Sequence, residues 1–240
     1  MRADRLVAAL GRPVLVFAEL DSTNRFARHG LQRGALDAGD VIVADVQTAG
    51  RGRLGRSWLA EPGQNLLFSL ILAPKVPVAE APRCVLHWAA AMAEALGCAV
   101  KWPNDLVDDQ DQKLGGVLAE LELGEEGRYH VILGVGLNVN QVDFPGLPGA
   151  SSLRGLHGGA PLDREALLIR LVLALESADL HGDLRAYAAR CRTLGKTVRV
   201  AGREGLATGL GPDGALLIDG IPVLTGDVEL LSGDVAPTPG

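Results

Sequence analysis

Cysteine is scarce in this sequence. Its three cysteines, Cys84, Cys98 and Cys191, are widely spaced, odd in number and form no C-x-x-C pair. This usage indicates neither a disulfide-stapled scaffold nor a thiolate zinc site. We therefore expect a protein of a reducing compartment, the cytoplasm, whose 240 residues can bury enough surface to fold without cross-links.

The sequence also lacks an excess of basic residues and any long apolar run. Lys and Arg number 23 against 29 Asp and Glu, so the formal net charge is −6, which argues against a protein that coats nucleic acid through its overall field. Four charged side chains interrupt the apolar patch in residues 1–13, which predicts a short surface helix rather than a signal peptide or a membrane span. Neither nucleic acid nor a membrane is expected as a partner.

Apolar runs alternate with amphipathic ones through most of the chain. The strand-like runs are PVLVFAEL, DVIVADV, NLLFSLIL, AVKW, GVLAELEL and HVILGVGL. STNRFARHGL reads as a helix, and another helix begins near Pro82 and ends before Gly97. After Gly195 short β-branched pieces separated by glycine, proline and Asp-Gly predict a small antiparallel barrel or sandwich. The pattern predicts a mixed sheet packed with helices over residues 1–191, and a small β domain over residues 192–240.

Later segments add two helices and an interior strand. LDREALLIRLVLALESA predicts a helix capped by Asp163, and HGDLRAYAARCRTLG predicts a second one. Residues 131–137 contain no polar side chain, so they read as an interior strand in which Gly134 and Gly136 leave room beside the backbone. The final APTPG is expected to be frayed.

The stretch QTAGRGRLGR, from Gln47 to Arg56, is the most unusual segment of this acidic chain. Its glycines disfavour a regular helix, and its arginines and accessible amides suit phosphate or carboxylate. A solvated hairpin tip or an RGG-like nucleic-acid segment are the alternatives, but the tract occurs once, between two strong strands. No Walker or Rossmann glycine motif is present. We interpret it as an ordered loop that covers an anionic ligand.

Two more polar clusters interrupt the apolar runs. DSTN, from Asp21 to Asn24, stands where a strand meets a helix, and a plain helix cap is the simpler interpretation. KWPNDL reads as a turn that carries a lysine and a carboxylate, followed by a lone lysine, Lys113. Such a set can neutralise phosphates and bind Mg²⁺. Together with the arginine loop, these clusters describe a site for an anionic nucleotide and a small polar partner.

Four segments in order, ADVQTAGRGRLGRSW, KWPNDL, the lysine before LGGVLAELE, and GVGLNVN, resemble the signature motifs of biotin protein ligases. The resemblance implies a class II synthetase-like α+β fold, with an SH3-like β-barrel at the C-terminus. It also implies an enzyme that joins biotin to ATP with Mg²⁺ as biotinyl-5′-AMP, then biotinylates a lysine of a biotin carboxyl carrier protein. It resembles the short form that has no N-terminal DNA-binding module. Relatives of this kind commonly form homodimers.

The resemblance also assigns roles to individual residues. The implied catalytic residues are Arg53, Lys113 and Asp105, and Asp105 is also the implied Mg²⁺ ligand. The implied biotin-binding residues are Ser22, Thr23, Asn24, Gln47, Gly50, Arg51, Arg53, Lys113, Gly116 and Gly136. The implied ATP- and phosphate-binding residues are Arg51, Arg53, Arg56, Trp58, Lys101, Asn104, Lys113 and Asn138.

Three other functions remain open at this point. A lipoate or octanoate ligase or transferase of the same superfamily is the nearest, although the arginine loop together with KWPND argues against it. A nucleic-acid-binding module that uses the arginine loop would show salt-dependent binding to random oligonucleotides. A catalytically inactive biotin sensor is the third.

Overall fold

The computed structural model describes residues 1–124 and 128–231. The predicted frayed end APTPG therefore lies outside the described residues. The described chain forms a seven-stranded sheet followed by a five-stranded sheet. A mixed sheet packed with helices and a small C-terminal β domain are both confirmed.

The larger sheet is mixed because one neighbouring pair of its strands is parallel. Its strands are β1 (Val14–Leu20), β2 (Val41–Gln47), β3 (Leu66–Leu72), β4 (Ala99–Lys101), β5 (Asp105–Val107), β6 (Lys113–Leu123) and β7 (Tyr129–Leu137). They lie in the order β1-β2-β3-β7-β6-β5-β4, with β1 and β2 parallel and the other pairs antiparallel. The carboxyl ends of β1 and β2 therefore meet at one end of the sheet, where α2 begins.

Helices cover both faces of this sheet. They are α1 (Ala3–Leu10), α2 (Thr23–Gln32), α3 (Ala81–Leu96), α4 (Leu153–Leu156), α5 (Arg164–Glu176) and α6 (Arg185–Ala188). Helix α3 ends at Gly97, which is left-handed at φ 68°, and Asp163 caps α5 by accepting the Glu165 and Ala166 amides, as predicted. The helix predicted from HGDLRAYAARCRTLG is much shorter, because only α6 forms and the chain then turns toward the second sheet.

Alternation along the central strands separates two apolar layers. Val41 and Val43 of β2 face the larger layer, which includes α3 and α5, whereas Ile42 faces a smaller layer beneath α2. In the smaller layer Ala27 of α2 packs with Ile42 and the other buried isoleucines of the sheet. This packing fixes α2, and with it the polar side chains of its first turn, against the sheet. None of the helices in the described residues is sufficiently long and apolar to traverse a bilayer.

The second sheet contains β8 (Thr197–Val200), β9 (Arg203–Leu210), β10 (Leu216–Ile218), β11 (Ile221–Val223) and β12 (Glu229–Leu230), in the order β11-β10-β9-β8-β12. Hydrogen bonds attach it to KWPNDL: the Trp102 backbone N–H donates to Thr193 Oγ1, and the Trp102 indole donates to Gly214 O, both at 3.0 Å. The predicted division after residue 191 stays a prediction.

The acidic segment between KWPNDL and Lys113 is also tied to the C-terminal part. Asp111, left-handed at φ 61°, accepts Arg192 Nε at 2.9 Å and Lys196 Nζ at 2.6 Å. Burial opposes ionisation of Asp111, but hydrogen bonds from these two cations outweigh it and lower the pKa of the carboxyl. These contacts join the turn between β5 and β6 to the start of the C-terminal part.

Candidate active site

A pocket opens where the ends of β1 and β2 meet the first turn of α2, beneath the arginine loop. The structure brings most of the predicted site residues into its wall: Ser22, Thr23, Asn24, Gln47, Arg51, Arg53, Arg56, Trp58, Asn104, Asp105, Lys113, Gly116 and Gly136. These residues lie far apart in the sequence, and the strand order of the mixed sheet brings them together at one pocket.

One end of the pocket is lined by hydroxyl and amide groups. Ser22 caps α2, and its side chain accepts the Arg25 amide at 3.5 Å. The next residue, Thr23, donates its backbone N–H to Gln47 Oε1 at 2.8 Å. The sequence left DSTN open as either a helix cap or part of a ligand site. The two interpretations are compatible, because the residues that cap α2 also line the pocket.

The other end of the pocket is cationic. Lys113 Nζ donates to Asp105 Oδ1 at 2.7 Å and lies 5.7 Å from the centre of the Trp58 ring. An ammonium has three donors, so one serves Asp105 and two can serve a ligand. The antiparallel β5–β6 pairing, which sets Asp105 opposite Gly116, creates this juxtaposition.

The arginine loop is held down by the C-terminal sheet. Arg53 Nη1 donates to Asn104 Oδ1 at 3.1 Å, and Arg53 Nη2 donates to Thr225 Oγ1 at 3.1 Å. Arg56 forms an ion pair with Asp227, from the same C-terminal segment. Thr225 and Asp227 precede β12, so residues of the small β domain reach the predicted ligand loop.

Arg51 differs from the other two arginines of the loop. It lines the pocket, and its guanidinium forms no hydrogen bond or ion pair with any residue in the described ranges. Its charge is consequently available to an anion without the loss of an existing contact.

Side chains of the protein fill the space beside the glycines of β6 and β7. A Cβ on Gly136 would lie 2.5 Å from Trp58 Cε2, and one on Gly134 would lie 2.9 Å from Asn24 Cγ. Protein side chains, rather than a ligand, occupy the room that these two glycines provide. A Cβ on Gly116 would meet Asp105 Oδ1 at 3.2 Å, so this glycine accommodates the ion pair with Lys113.

Three predicted site residues lie outside the pocket wall. The Asn138 side chain donates to Ser151 O at 2.9 Å and to Lys113 O at 3.4 Å, so it holds the backbone around Lys113 instead of facing the pocket. Lys101 lies in a shallow groove shared with Arg56 and Asp227, on the C-terminal side. Gly50 is buried in the loop stem, where its carbonyl accepts the Trp58 amide at 3.0 Å.

Sequence reasoning missed four residues of this region: Arg28, Glu120, Thr225 and Asp227. Arg28 and Glu120 line the hydroxyl end, and they form an ion pair with a 3.0 Å contact. Arg28 lies on the polar face of the amphipathic helix α2, and Glu120 lies at a polar position of the alternating strand β6. Charged side chains at such positions usually face solvent. Nothing in the sequence distinguished them from ordinary surface residues.

The resemblance assigns Mg²⁺ to one carboxylate of the pocket wall, Asp105. The described ranges contain no group of three or more His, Cys, Asp or Glu side chains that could hold a metal ion. Mg²⁺ in nucleotide sites usually takes one or two carboxylates together with substrate phosphates and water. Asp105 fits that limited role.

Comparison with known proteins decides the family. The model of the biotin/lipoate A/B protein ligase family matches residues 16–138, more than half of the chain. The chain belongs to the biotin/lipoate A/B protein ligase family. The matched segment of this ligase-family chain contains the arginine loop, KWPNDL, Lys113 and both glycines of β7.

Relatives and solved structures match well beyond that segment. A biotin–[acetyl-CoA-carboxylase] ligase of Mycobacterium tuberculosis is 34% identical over 90% of this chain and 87% of its own length. The bifunctional ligase/repressor BirA of Escherichia coli is 33% identical over 93% of this chain and 76% of its own. The biotin protein ligase of Aquifex aeolicus in complex with biotin and ATP is 29% identical, with a TM-score of 0.73, over 92% of this chain and 99% of its own. This ligase-family chain therefore resembles biotin ligases over both of its sheets.

Proposed function

We propose that this chain joins biotin to ATP, releasing pyrophosphate and forming biotinyl-5′-AMP, and then transfers the biotinyl group to a lysine of a biotin carboxyl carrier protein. The observation that carries the proposal is a single pocket with a hydroxyl and amide end and a cationic end. Biotin has the same polarity, because its ureido ring carries neutral donors and an acceptor, and its valerate chain ends in a carboxylate. The relatives that match the whole chain are named as biotin ligases, which favours biotin over lipoate or octanoate.

The ureido ring binds at the first turn of α2. Ser22 and Thr23 are 4% and 3% exposed, and the Gln47 side chain is hydrogen bonded to Thr23. Buried polar groups of this kind reject an analogue that lacks their partners by roughly 10⁴-fold or more. A dithiolane ring has no N–H or carbonyl group, so this end of the pocket selects against lipoate.

The carboxylate of biotin and the α-phosphate of ATP meet at Lys113. Two anions must approach each other, so cationic donors have to offset their repulsion before orientation can help. Lys113 can donate to both anions while it keeps Asp105, and Arg51 is available to phosphate without breaking a contact. Each charged hydrogen bond contributes about 1.5–3 kcal/mol.

Arg53, Arg56, Trp58 and Asn104 complete the proposed nucleotide site. Arg56 can exchange Asp227 for a phosphate at small cost, because its side chain is 67% exposed and exposed ion pairs contribute only about 0–1 kcal/mol. Mg²⁺ held by Asp105 and the triphosphate would supply further charge compensation. Lys101 and Asn138 are proposed to act from outside the pocket, through the groove and through the Lys113 backbone.

The transfer step requires a neutral amine on the carrier lysine. Asp105 is the carboxylate beside Lys113, and we assign to it the orientation and deprotonation of that amine. The carrier is a biotin-dependent carboxylase subunit, such as that of acetyl-CoA carboxylase. A homodimer through the β1 edge of the larger sheet also belongs to the proposal, because residues 190–192 already pair with Val100 of the other edge strand, β4. A cytoplasmic location belongs to it too, and the three free cysteines favour it.

Pyrophosphate release with Mg-ATP tests the proposal directly. We expect release with biotin, and biotinyl-5′-AMP detected by mass on the purified chain, but neither with lipoate. Transfer is then followed as biotin on a purified carrier domain. Release with lipoate alone would move the chain to the sister activity, and release with neither acid would contradict adenylation.

Loss of the Arg53 side chain is expected to speed the escape of biotinyl-5′-AMP by about tenfold, because Arg53 joins the loop both to Asn104 and to the C-terminal sheet. The measurement is the dissociation rate of radiolabelled adenylate from Arg53→Ala by rapid filtration. Arg192→Ala is the matched control, since the Arg192 guanidinium also makes two contacts, with Asp111 and with Asp109 O, but lies outside both the pocket wall and the groove of Lys101. Equal release rates in the two variants would refute this role.

A further inference from the structure

A buried chain of hydrogen bonds lies behind the hydroxyl end of the pocket. It runs from Glu120 to Asn24, from Asn24 to Ser69, from Ser69 to Thr23 and from Thr23 to Gln47. Asn24, Ser69 and Thr23 are 6%, 0% and 3% exposed. A buried polar atom without a hydrogen-bond partner costs folding free energy. The number of protons available to these contacts therefore decides whether every atom of the chain is satisfied.

Glu120 makes the shorter of the two contacts that orient the Asn24 amide. An ionised carboxylate only accepts hydrogen bonds, and Glu120 Oε2 lies 2.7 Å from Asn24 Nδ2 while Oε1 accepts Arg28 Nη2 at 3.0 Å. The NH₂ group of Asn24 must therefore face Glu120, and it also donates to Leu118 O over a longer 3.4 Å contact. Its carbonyl oxygen, Oδ1, must face Ser69 Oγ, 2.6 Å away, as an acceptor.

The other end of the chain is also fixed as an acceptor. Gln47 Oε1 receives the backbone N–H of Thr23 at 2.8 Å, so the amide of Gln47 cannot turn its NH₂ toward Thr23. Between the two carbonyl oxygens stand two hydroxyls, those of Ser69 and Thr23. Their oxygens are 2.8 Å apart, and Thr23 Oγ1 is 3.1 Å from Gln47 Oε1.

Three oxygen–oxygen contacts thus share two hydroxyl protons. In the described part of the chain no other group donates to Ser69 Oγ or Thr23 Oγ1. One contact must therefore lack a proton. We place the missing proton at the longest contact, between Thr23 Oγ1 and Gln47 Oε1, because two unprotonated oxygens repel each other least when they are farthest apart. Thr23 and Gln47 both line the pocket, whereas Ser69 does not. Two adjacent acceptor oxygens therefore face the ligand without a donor between them.

We propose that Glu120 is a specificity-determining residue, which leaves this hydrogen-bond chain one proton short so that a ligand N–H must complete it at Thr23 and Gln47. This inference rests on the proposed function, in which the ureido ring of biotin supplies the N–H. Glu120 does not touch the ligand in this account and acts through Asn24 and Ser69 as a positioning residue.

Glu120→Gln tests the proposal because it removes the deficit. The guanidinium of Arg28 only donates, so the new amide turns its oxygen to Arg28 and its NH₂ to Asn24. Asn24 then turns over, losing its long 3.4 Å contact with Leu118 O, and donates to Ser69. Ser69 donates to Thr23, and Thr23 donates to Gln47. All three contacts acquire a proton, and the ligand N–H is no longer required.

The affinity for biotin is expected to fall in Glu120→Gln, whereas the stability of the ligand-free protein is not. The Kd of biotin, measured by titration calorimetry, should rise about tenfold in Glu120→Gln, while the ligand-free protein keeps or raises its Tm. Biotin analogues in which one ureido N–H is replaced by oxygen sharpen the test. One of the two analogues should bind the wild-type chain about tenfold more weakly than biotin does, but should lose little affinity for Glu120→Gln.

Glu122→Gln is the matched control. Glu122 lies two residues further along β6, pairs with the same Arg28 at 3.2 Å and also accepts Gln32 Nε2, but it makes no contact with Asn24. We expect its biotin affinity and its analogue discrimination to be those of the wild type. Ser69→Ala provides a second variant, which removes two of the three contacts and leaves the Thr23 hydroxyl free to donate to Gln47, so it should also weaken biotin binding.

The outcomes separate this inference from the proposed function. If the wild-type chain does not bind biotin, the proposed function fails before Glu120 is tested. If it binds biotin and Glu120→Gln discriminates the analogues as the wild type does, only the role of Glu120 is wrong. A lower Tm together with weaker binding of biotin and of both analogues alike would assign Glu120 a structural role and overturn the inference.

Discussion

Lys113→Ala is expected to lower the rate of biotinyl-5′-AMP formation by about 10²–10³-fold, the effect typical of losing one preorganised donor to developing charge. Lys113 is the cation at the point where the two proposed anions meet, and Asp105 at 2.7 Å holds its ammonium in place. The neighbouring arginines reach the pocket from the loop, so they cannot replace the ammonium of Lys113, which extends from the start of β6. Single-turnover pyrophosphate release with saturating biotin and Mg-ATP measures the effect.

Lys196→Ala is the control for the lysine substitution. Lys196 also pairs with an aspartate, Asp111, at 2.6 Å, and it is partly buried, but it lies outside the pocket wall. Its loss should leave adenylation within about threefold of wild type, because a single ion pair of this kind contributes about 1 kcal/mol. Near-normal adenylation in Lys113→Ala, or equal losses in both variants, would remove Lys113 from the chemical step.

Much of the fold could be predicted from local pattern. The apolar run of β7, the alternation of β6 and the cap of α5 at Asp163 each carry their signal within one segment, and all three form as expected. The long helix predicted after residue 180 failed because amphipathic spacing does not reveal that the chain must turn toward the second sheet after α6. The helical preference of this segment is overridden by tertiary contacts, since residues 190–192 pair with Val100 of β4 instead.

The family and its activity were predictable because the ordered motifs are specific. The choice of a biotin ligase over a lipoate ligase is confirmed by the relatives that match the whole chain. Individual site residues were less predictable where their partner comes from a distant segment. Arg53 contacts Thr225, 172 residues away, and Asn24 contacts Glu120, 96 residues away, and neither spacing has a sequence signature.

The glycines illustrate the same limit in another form. The sequence indicated that Gly134 and Gly136 leave room beside the backbone, and the structure agrees. Which group takes that room depends on packing: Asn24 comes from α2, and Trp58 from the end of the arginine loop. A sequence read segment by segment predicts the space but not the occupant.

Asp105→Asn is expected to slow transfer of the biotinyl group to the carrier lysine by about 10²–10⁴-fold, the range for loss of a general base. Asparagine keeps the size of the side chain, and its amide oxygen can still accept a hydrogen bond from Lys113 and ligate Mg²⁺, so the approach of biotin and ATP is largely preserved. It cannot take up a proton from the carrier lysine, which must lose one before it attacks. The measurement adds a carrier domain to isolated enzyme loaded with biotinyl-5′-AMP and follows the adenylate as it is consumed.

The ratio of the two half-reactions decides between the roles open to Asp105. If its carboxylate serves the carrier lysine, transfer falls far more than adenylation does. If it only holds Lys113, both fall together, since Lys113 loses its anionic partner before either step. Asp111→Asn is the control: Asp111 pairs with Lys196 as Asp105 pairs with Lys113, and asparagine tolerates its left-handed backbone. That variant should change neither half-reaction, because Asp111 lies outside the pocket wall.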